Sequence, residues 1–493
     1  MALTLLDVAL AFLAVYLLKL AVQARSRPTY SLPPGPRGLP IVGNILDMPS
    51  EKEWQTFFRW GRIYGDICSI KIFGRVFIIL NSAELANELL DKRSSRYSDR
   101  PVMQMGGELC GWKDALVCVP YGERFRRYRR FFHQVIGTRS SMMQFKPAHD
   151  IETKRFLRRV LAAPDALSDH IRKTAGAVIL RISHGYEVKE QNDPFVELAD
   201  KAVEQFALST APGSFLVNLI PWLSEVPEWV PGAGFKVTAR SWKATLYEMV
   251  DRPYNFVIQQ LAAGTAIPSY TSNLLASKDL TVDDEHDIKW SAASLYSGGA
   301  DTTVSAIYSF YLAMALFPDV AKKAQEELDS LLQMKRLPSL EDRDDLPYVD
   351  ALTKEILRWN SVTPTGVPHR ATEDDIFNGY FIPKGAVIMT NLWGMTHDPR
   401  VYADPMRFNP DRFLGPNPEP DPRKMCALLA YDSVFMSAAA SLAVFDISKP
   451  VENGVVIEPV CDNTTGTISH PKAFKCTIRP RSEATIDLIQ SEV

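Results

Sequence analysis

The stretch Ser297-Gly298-Gly299-Ala300-Asp301-Thr302-Thr303 lies inside an apolar segment of helical period, from about Ile288 to Leu316, that contains no proline until Pro318. Two adjacent glycines weaken a helix by about 1 kcal/mol each relative to alanine. They also let something large lie against the helix backbone. Asp301 and Thr302 add a carboxylate and a hydroxyl, read here as facing the same opening. A tolerated weak spot in a buried helix is the plainer explanation, and a deliberate gap beside a flat ligand is the sharper one. Either way, the segment predicts a long buried helix at the centre of the chain.

Outward from that helix the pattern is mostly helical. Phe317-Pro318 ends it, and a Lys- and Glu-rich helix follows at Ala321–Leu332. Residues 150–260 read as several helices, interrupted by Pro221, Pro227 and Pro231 in a loop that carries Trp222 and Trp229. Such a loop suits the wall of an apolar pocket, a membrane contact or ordinary packing. Further helices are expected at Glu53–Tyr64 and Ala83–Asp91. Strands are few: Cys68–Phe73 and Val76–Leu80, joined by a tight turn at Gly74-Arg75, and a hairpin-like pair between Gly379 and Met389. No GxGxxG opens the helix after Leu80, so a dinucleotide-binding βα unit is excluded there. The fold class is mainly α with small β-sheets.

Composition narrows the function classes. The net charge of −3 over 493 residues gives no polycation for nucleic acid. Six cysteines (Cys68, Cys110, Cys118, Cys426, Cys461, Cys476) are widely spaced, with no CxxC and no His/Cys cluster. That is neither a disulfide framework nor a zinc site, and it fits a reducing compartment. Met1 to Val22 is almost wholly apolar, and about 20 such residues cross a bilayer as a helix. A cleaved signal peptide competes, with Val22-Gln23-Ala24 as a cleavage site. No positive charge precedes the apolar run, however, whereas Lys19, Arg25 and Arg27 lie at or beyond its far end. That asymmetry favours an uncleaved anchor with the body on the cytoplasmic side. The expected organisation is a transmembrane anchor over residues 1–24, a proline-rich hinge over 25–40 and a globular body over 41–493.

Within that body, Arg124–Arg130 is the most basic run. Phe125 and Arg129 are i, i+4 neighbours on one helix face, a pair suited to stacking on and hydrogen-bonding a planar acid; a solvated helix face is the plain reading. Glu355 and Arg358 stand one turn apart, which taken alone reads as a surface ion pair. Pro364–His369 is extended, and Phe408-Asn409-Pro410-Asp411-Arg412-Phe413 lies downstream.

Taken in order, these features resemble the cytochrome P450 family, specifically its membrane-anchored microsomal type found in fungi. The resemblance rests on the Pro33–Gly38 hinge, Phe125/Arg129, Gly298–Thr303, Glu355/Arg358 and Asn409–Phe413, and it covers essentially the whole chain. It implies haem b held by a cysteine thiolate, with Gly298 and Gly299 opening the distal helix over it. Asp301 and Thr302 would relay protons during oxygen activation. Glu355, Arg358 and Arg412 would form a polar network bracing the haem-binding core. Arg129 would pair with a haem propionate, and Phe125 stands where the family usually has tryptophan. Val362–Val367 would line the substrate pocket. The implied reaction is a monooxygenation of a hydrophobic small molecule, a fungal secondary metabolite or a xenobiotic such as a polycyclic aromatic. Electrons would come from NADPH through a separate NADPH–cytochrome P450 reductase, with cytochrome b5 as an auxiliary donor. The implied location is the endoplasmic reticulum membrane, crossed once, with lipid as a further contact and the body cytosolic.

The chain departs from the family at one place. The signature Phe-x-x-Gly-x-Arg-x-Cys-x-Gly belongs after Phe413, but residues 421–433 read Asp-Pro-Arg-Lys-Met-Cys-Ala-Leu-Leu-Ala-Tyr-Asp-Ser. The segment is roughly ten residues short of the loop that cradles the thiolate. Cys426 is the remaining candidate for the iron. A mis-joined exon or splice variant accounts for two flanks that stay in register. A remodelled loop keeping Cys426 as ligand, and a haem-free binding or scaffold protein on the same fold, are the alternatives. Asn463-Thr464-Thr465 matches a glycosylation acceptor, which a cytosolic body would leave as a bare surface turn.

Overall fold

A computed structural model describes residues 30–211, 214–277, 280–424 and 431–491. The expected anchor at residues 1–24 and the candidate ligand Cys426 both lie outside these residues. Among the described residues, no single helix is long and apolar enough to cross a membrane.

Helices carry most of the chain: α1 (Glu53–Tyr64), α2 (Glu123–Ile136), α3 (Lys146–Ala162), α4 (Leu167–His184), α5 (Pro194–Thr210), α6 (Phe235–Ala263), α7 (Val282–Leu316), α8 (Pro318–Leu332), α9 (Pro347–Trp359) and α10 (Tyr431–Val444). The anticipated central helix is α7, 35 residues long and therefore about 50 Å from end to end. Its start is set by a capping box. Thr281 Oγ1 accepts from the Asp284 amide at 3.2 Å, while Asp284 Oδ2 accepts from the Thr281 amide at 3.1 Å. Asp283, Asp284 and Glu285 add negative charge at the dipole's positive end. Pro318 then begins α8 at a position where its missing N–H costs nothing.

The helix is the axle between two hydrophobic clusters. Its first half, Ile288 to Ala300, packs with α4, α5 and α6. Its second half, Val304 to Ala315, packs with α3, α9 and α10. Burial around most of its circumference leaves it little amphipathic character. The glycine pair lies close to where one cluster gives way to the other.

The main sheet has four strands: β1 (Ile67–Ile72), β2 (Arg75–Leu80), β3 (His369–Arg370) and β4 (Val387–Thr390), in the order β1-β2-β4-β3. β1 and β2 pair antiparallel from Ile67↔Leu80 to Ile72↔Arg75. The turn is Phe73-Gly74, both at positive φ (47° and 81°), one residue earlier than the sequence reading placed it. Two consecutive positive-φ residues match the twist of the flanking strands. β2 runs parallel to β4. The expected hairpin between Gly379 and Met389 is replaced by two separate pairings. Tyr380–Ile382 folds back on Asp375–Phe377 through Asn378-Gly379, again both at positive φ, while Val387–Thr390 joins the main sheet.

The proline hinge is extended but not free. Ser69 of β1 donates its amide to the Pro34 carbonyl at 2.9 Å and its hydroxyl to the Pro33 carbonyl at 2.5 Å. A Cβ on Gly35 would sit 1.9 Å from the Ser69 carbonyl oxygen, so only glycine permits this docking. The chain therefore enters the globular body as a strap on the sheet rather than as a loose tether.

Candidate active site

A cavity of 970 Å³ lies against α7, walled there by Ser294, Ser297, Gly298 and Thr302. A Cβ on Gly298 would meet nothing within 4 Å, so here the backbone itself faces open space. Gly299 differs: a Cβ there would lie 2.8 Å from Ile179 of α4. One glycine serves the cavity and its neighbour serves helix packing, whereas the sequence reading gave both to the ligand.

The same separation splits the acid–alcohol pair. Successive helical residues point about 100° apart. Thr302 faces the cavity, and its hydroxyl donates to the Gly298 carbonyl at 2.7 Å. Asp301 does not line the cavity. It turns to His470, whose Nε2 is 3.1 Å from Oδ2, and to Arg172 of α4, which donates to Oδ1 at 3.5 Å. Burial pushes its carboxyl up, but the His470 hydrogen bond and charge, together with Arg172, bring it below the ordinary value.

Glu355 and Arg358 are fully buried rather than on a surface. Arg358 Nε donates to Glu355 Oε2 at 2.7 Å and Nη2 to Oε1 at 2.8 Å. Its remaining donors reach the carbonyls of Thr396, Pro405 and Arg407. Glu355 Oε1 also accepts from the Asn409 amide at 2.7 Å and from Arg412 Nε at 3.2 Å. Burial works against the Arg412 cation, yet the Glu355 and Glu419 carboxylates hold it above its ordinary value. α9 and the Asn409–Phe413 turn are thereby locked together.

The cationic side of the cavity comes from residues the sequence reading passed over. Arg100 and His369 both line it. Arg100 Nη1 donates to the Val367 and Pro368 carbonyls, each at 2.9 Å, and Nε is buried without a partner. Burial brings this guanidinium down to about 10, against partial relief from Asp99 and Cys118. His369 Nδ1 donates to the Tyr97 carbonyl at 2.9 Å; burial first, then the Arg100 charge, push its imidazole down to about 3. Arg100 thus offers an idle buried donor to an acidic group, while the neutral imidazole, its N–H spent on Tyr97, presents an acceptor beside it. The cue in the sequence was a buriable arginine in Ser98-Asp99-Arg100-Pro101, a string that otherwise reads as loop.

Phe125 and Arg129 are placed elsewhere. Phe125 packs on Tyr121 with ring centroids 5.6 Å apart, Arg129 is exposed, and neither lines the cavity. Of the same basic run, Arg124 and Arg127 are already paired with Asp114, Asp284 and Asp287. Of the Val362–Val367 segment, Thr363, Gly366 and Val367 lie on the cavity wall. Trp222 and Trp229 are 66% and 83% exposed and do not line this cavity. The Asn463 amide donates to Asn360 Oδ1 at 2.8 Å, so its nitrogen is already engaged within the fold.

None of the described cysteines lines the cavity. Burial pushes the thiols of Cys68, Cys118 and Cys476 up to about 12 and that of Cys110 up to about 11. Such thiols are poor nucleophiles and poor metal ligands. Among the described residues, no three metal-ligating side chains form a cluster.

A flat, acid-bearing ligand fits this cavity: bare helix backbone at Gly298, an unpartnered guanidinium N–H and room for a large ring. Comparison with known proteins points the same way. The family model for cytochrome P450 matches residues 33–430. Cytochrome P450 monooxygenase 208 of Postia placenta is 50% identical over 97% of this chain and 96% of its own length. Cytochrome P450 monooxygenase claR of Ampulloclitocybe clavipes is 46% identical over 99% and 93%, and CLM2 of Gibberella zeae is 42% identical over 94% and 92%.

Proposed function

Because this chain belongs to the cytochrome P450 family and is a cytochrome P450 monooxygenase, we propose that it oxidises a hydrophobic small molecule in the 970 Å³ cavity beside α7. The observation that carries the reading is the cavity's two-sided chemistry: bare backbone and a hydroxyl on α7, with an idle guanidinium N–H and a neutral imidazole at the Arg100 side. Haem b, when bound, would supply the oxygen activation, and Cys426 is the residue that would hold its iron. Arg100 would receive one of its acidic groups through the idle Nε–H, and Gly298 would leave room for it beside α7. Thr302 holds a hydroxyl at the wall, fixed by the Gly298 carbonyl, and Asp301, its neighbour in sequence, is held away from the wall by His470 and Arg172. Trp112, Phe206, Val367 and Ile468 exclude water from the apolar part, which suits a terpenoid, polyketide, fatty acid or polycyclic aromatic.

The family requires an electron donor and a substrate. An NADPH-dependent reductase, with cytochrome b5 as an auxiliary, suits a chain without a flavin or nicotinamide motif. Exposed arginines of α2, such as Arg126, Arg129 and Arg130, offer an acidic partner a docking face. The apolar run Met1–Val22 supports a single-pass anchor in the endoplasmic reticulum with a cytosolic body. Exposed Trp222 and Trp229 fit a face turned toward lipid.

The test is a reduced, CO-bound difference spectrum of the full chain expressed with haem precursor. A Soret band at the thiolate position, abolished by Cys426→Ala, is the expected result. A chain without haem absorbance would overturn the assignment of Cys426.

A further inference from the structure

α7 has a second cavity on another of its faces. Ser294, Gly298 and Thr302 touch the large cavity, whereas Leu295, Gly299 and Thr303, each one residue further on, line a separate one of 40 Å³. The 100° step between successive helical residues keeps the two apart. The remaining walls of the small cavity come chiefly from α3 (His149), α4 (Ala175 to Ile182) and α10 (Ser433). It lies where the two hydrophobic clusters meet, since Ala175 belongs to one and Ile179 and Leu295 to the other.

Most of this wall is aliphatic, and a wholly aliphatic cavity stays dry. His149 is the exception. It is 2% exposed, and its Nε2 is buried with no hydrogen-bond partner among the described residues. Buried polar atoms in native folds are paired with protein or with ordered water, so an idle one beside empty space marks a place for a ligand. Two hydroxyls share the cavity with it. Thr303 Oγ1 donates to the Gly299 carbonyl at 2.5 Å, which spends its proton and leaves its lone pairs, and Ser433 brings the other. A buried water needs about two to four polar partners and about 10–15 Å³ of space. Both are present. The ligand is also uncharged: burial pushes the imidazole below its ordinary value, so it stays neutral, and no charged side chain among the described residues lines the cavity. The charge that acts on His149, that of Asp432, is engaged by Arg343 at 2.9 Å.

We propose that this small cavity is a hydration site, in which a resident water bridges His149 Nε2 of α3 and Thr303 Oγ1 of α7, with Ser433 of α10 as a third partner. Thr303 can only accept, so the water gives it one O–H. Toward Nε2 the water donates its other O–H or accepts, according to the imidazole tautomer. Three helices that share no direct side-chain hydrogen bond at this point are thereby tied together. Thr303 is also next in sequence to Thr302, so the water steadies from behind the turn of α7 that walls the large cavity. The site is structural and stands whatever the large cavity holds.

Two measurements on the full chain test it. Water ¹⁷O relaxation dispersion counts internal waters by their long residence. His149→Leu, close in volume but without a polar atom, is expected to lose at least one long-lived water. Thr303→Val, which removes the facing hydroxyl, is expected to show the same loss and serves where His149→Leu does not fold. An unchanged dispersion amplitude in a folded variant overturns the proposal. Xenon needs no substitution, because it enters dry aliphatic cavities and is kept out of one that holds water. With isoleucine and leucine methyls ¹³C-labelled in the unsubstituted chain, xenon is expected to leave the Ile179 and Leu295 signals where they are. Saturable xenon shifts at those two methyls would show a dry cavity and overturn the proposal.

Discussion

Two arginines, one fully buried and one half-buried, are used in opposite ways in this protein. Arg358 has its five N–H donors each set against one acceptor: two on Glu355 and three on the carbonyls of Thr396, Pro405 and Arg407. Arg100 is half-buried, but its Nε is buried without a partner and desolvation pulls the guanidinium down to about 10. A fully satisfied charge braces the fold and has nothing left to offer a ligand. A buried charge with an idle donor is costly, and it persists where something else completes it.

The largest effect that follows is on folding. Removing Arg358 as Arg358→Ala leaves the buried Glu355 carboxylate with only Arg412 and the Asn409 amide and orphans three carbonyls. Breaking such a pair costs about 3–5 kcal/mol. Urea unfolding of the purified body is expected to show that loss or an unfolded chain, and Arg358→Lys is expected to rescue little, because an ammonium cannot reproduce the fork. A wild-type midpoint for Arg358→Ala would erase the distinction between the two arginines.

The second effect falls on binding. Arg100→Met keeps the volume and gives up two carbonyl bonds, a loss partly offset by removing a poorly solvated charge with an idle donor. Its main consequence is expected in the affinity for an acidic porphyrin. Charge-assisted hydrogen bonds are worth about 1.5–3 kcal/mol each, so the Kd for zinc protoporphyrin, read by tryptophan quenching, is expected to rise roughly 10- to 100-fold. Unchanged affinity would mean that the acidic groups lie elsewhere, with exposed Arg129 the next residue to substitute.

The two arginines also show what the sequence made legible. The Glu355/Arg358 spacing was visible, but its burial was not. That burial depends on carbonyls 38 to 49 residues downstream, and a local pattern carries no record of which elements converge. Arg100 was hidden for the same reason, since its acceptors lie 267 and 268 residues away. The central helix was readable because periodicity is local: an expected span of about Ile288–Leu316 became Val282–Leu316 once the Thr281/Asp284 cap was counted. Within it, the helical period alone separates Thr302 from Asp301 and Gly298 from Gly299. Treating each pair as one opening ignored that 100° step. The Tyr380–Ile382 pairing was missed because Asn378-Gly379 is the stronger turn signal and draws the strand backward.

Each arginine has a neighbouring histidine, and this pair sharpens the contrast with the smallest shift. Burial first, then the nearby arginine, push both His397 (beside Arg358) and His369 (beside Arg100) from 6.5 down to about 3. Both are neutral in the folded chain and accept protons more readily once it unfolds. Each therefore contributes stability that is fully present above pH 6.5 and is lost as the pH falls from 6.5 toward 3. Asp301, held below its ordinary 3.8, adds a loss only at lower pH, as the pH falls through its folded value. The free chain is thus expected to weaken on acidification well before carboxylates protonate. Binding an acidic porphyrin places negative charge beside Arg100 and His369 but not beside Arg358 and His397. With zinc protoporphyrin bound, ¹⁵N-histidine titration is expected to raise the His369 midpoint by about one unit or more and leave His397 where it was. Equal movement of both, or of neither, would mean that the idle guanidinium of Arg100 does not mark the acid-binding side of the cavity.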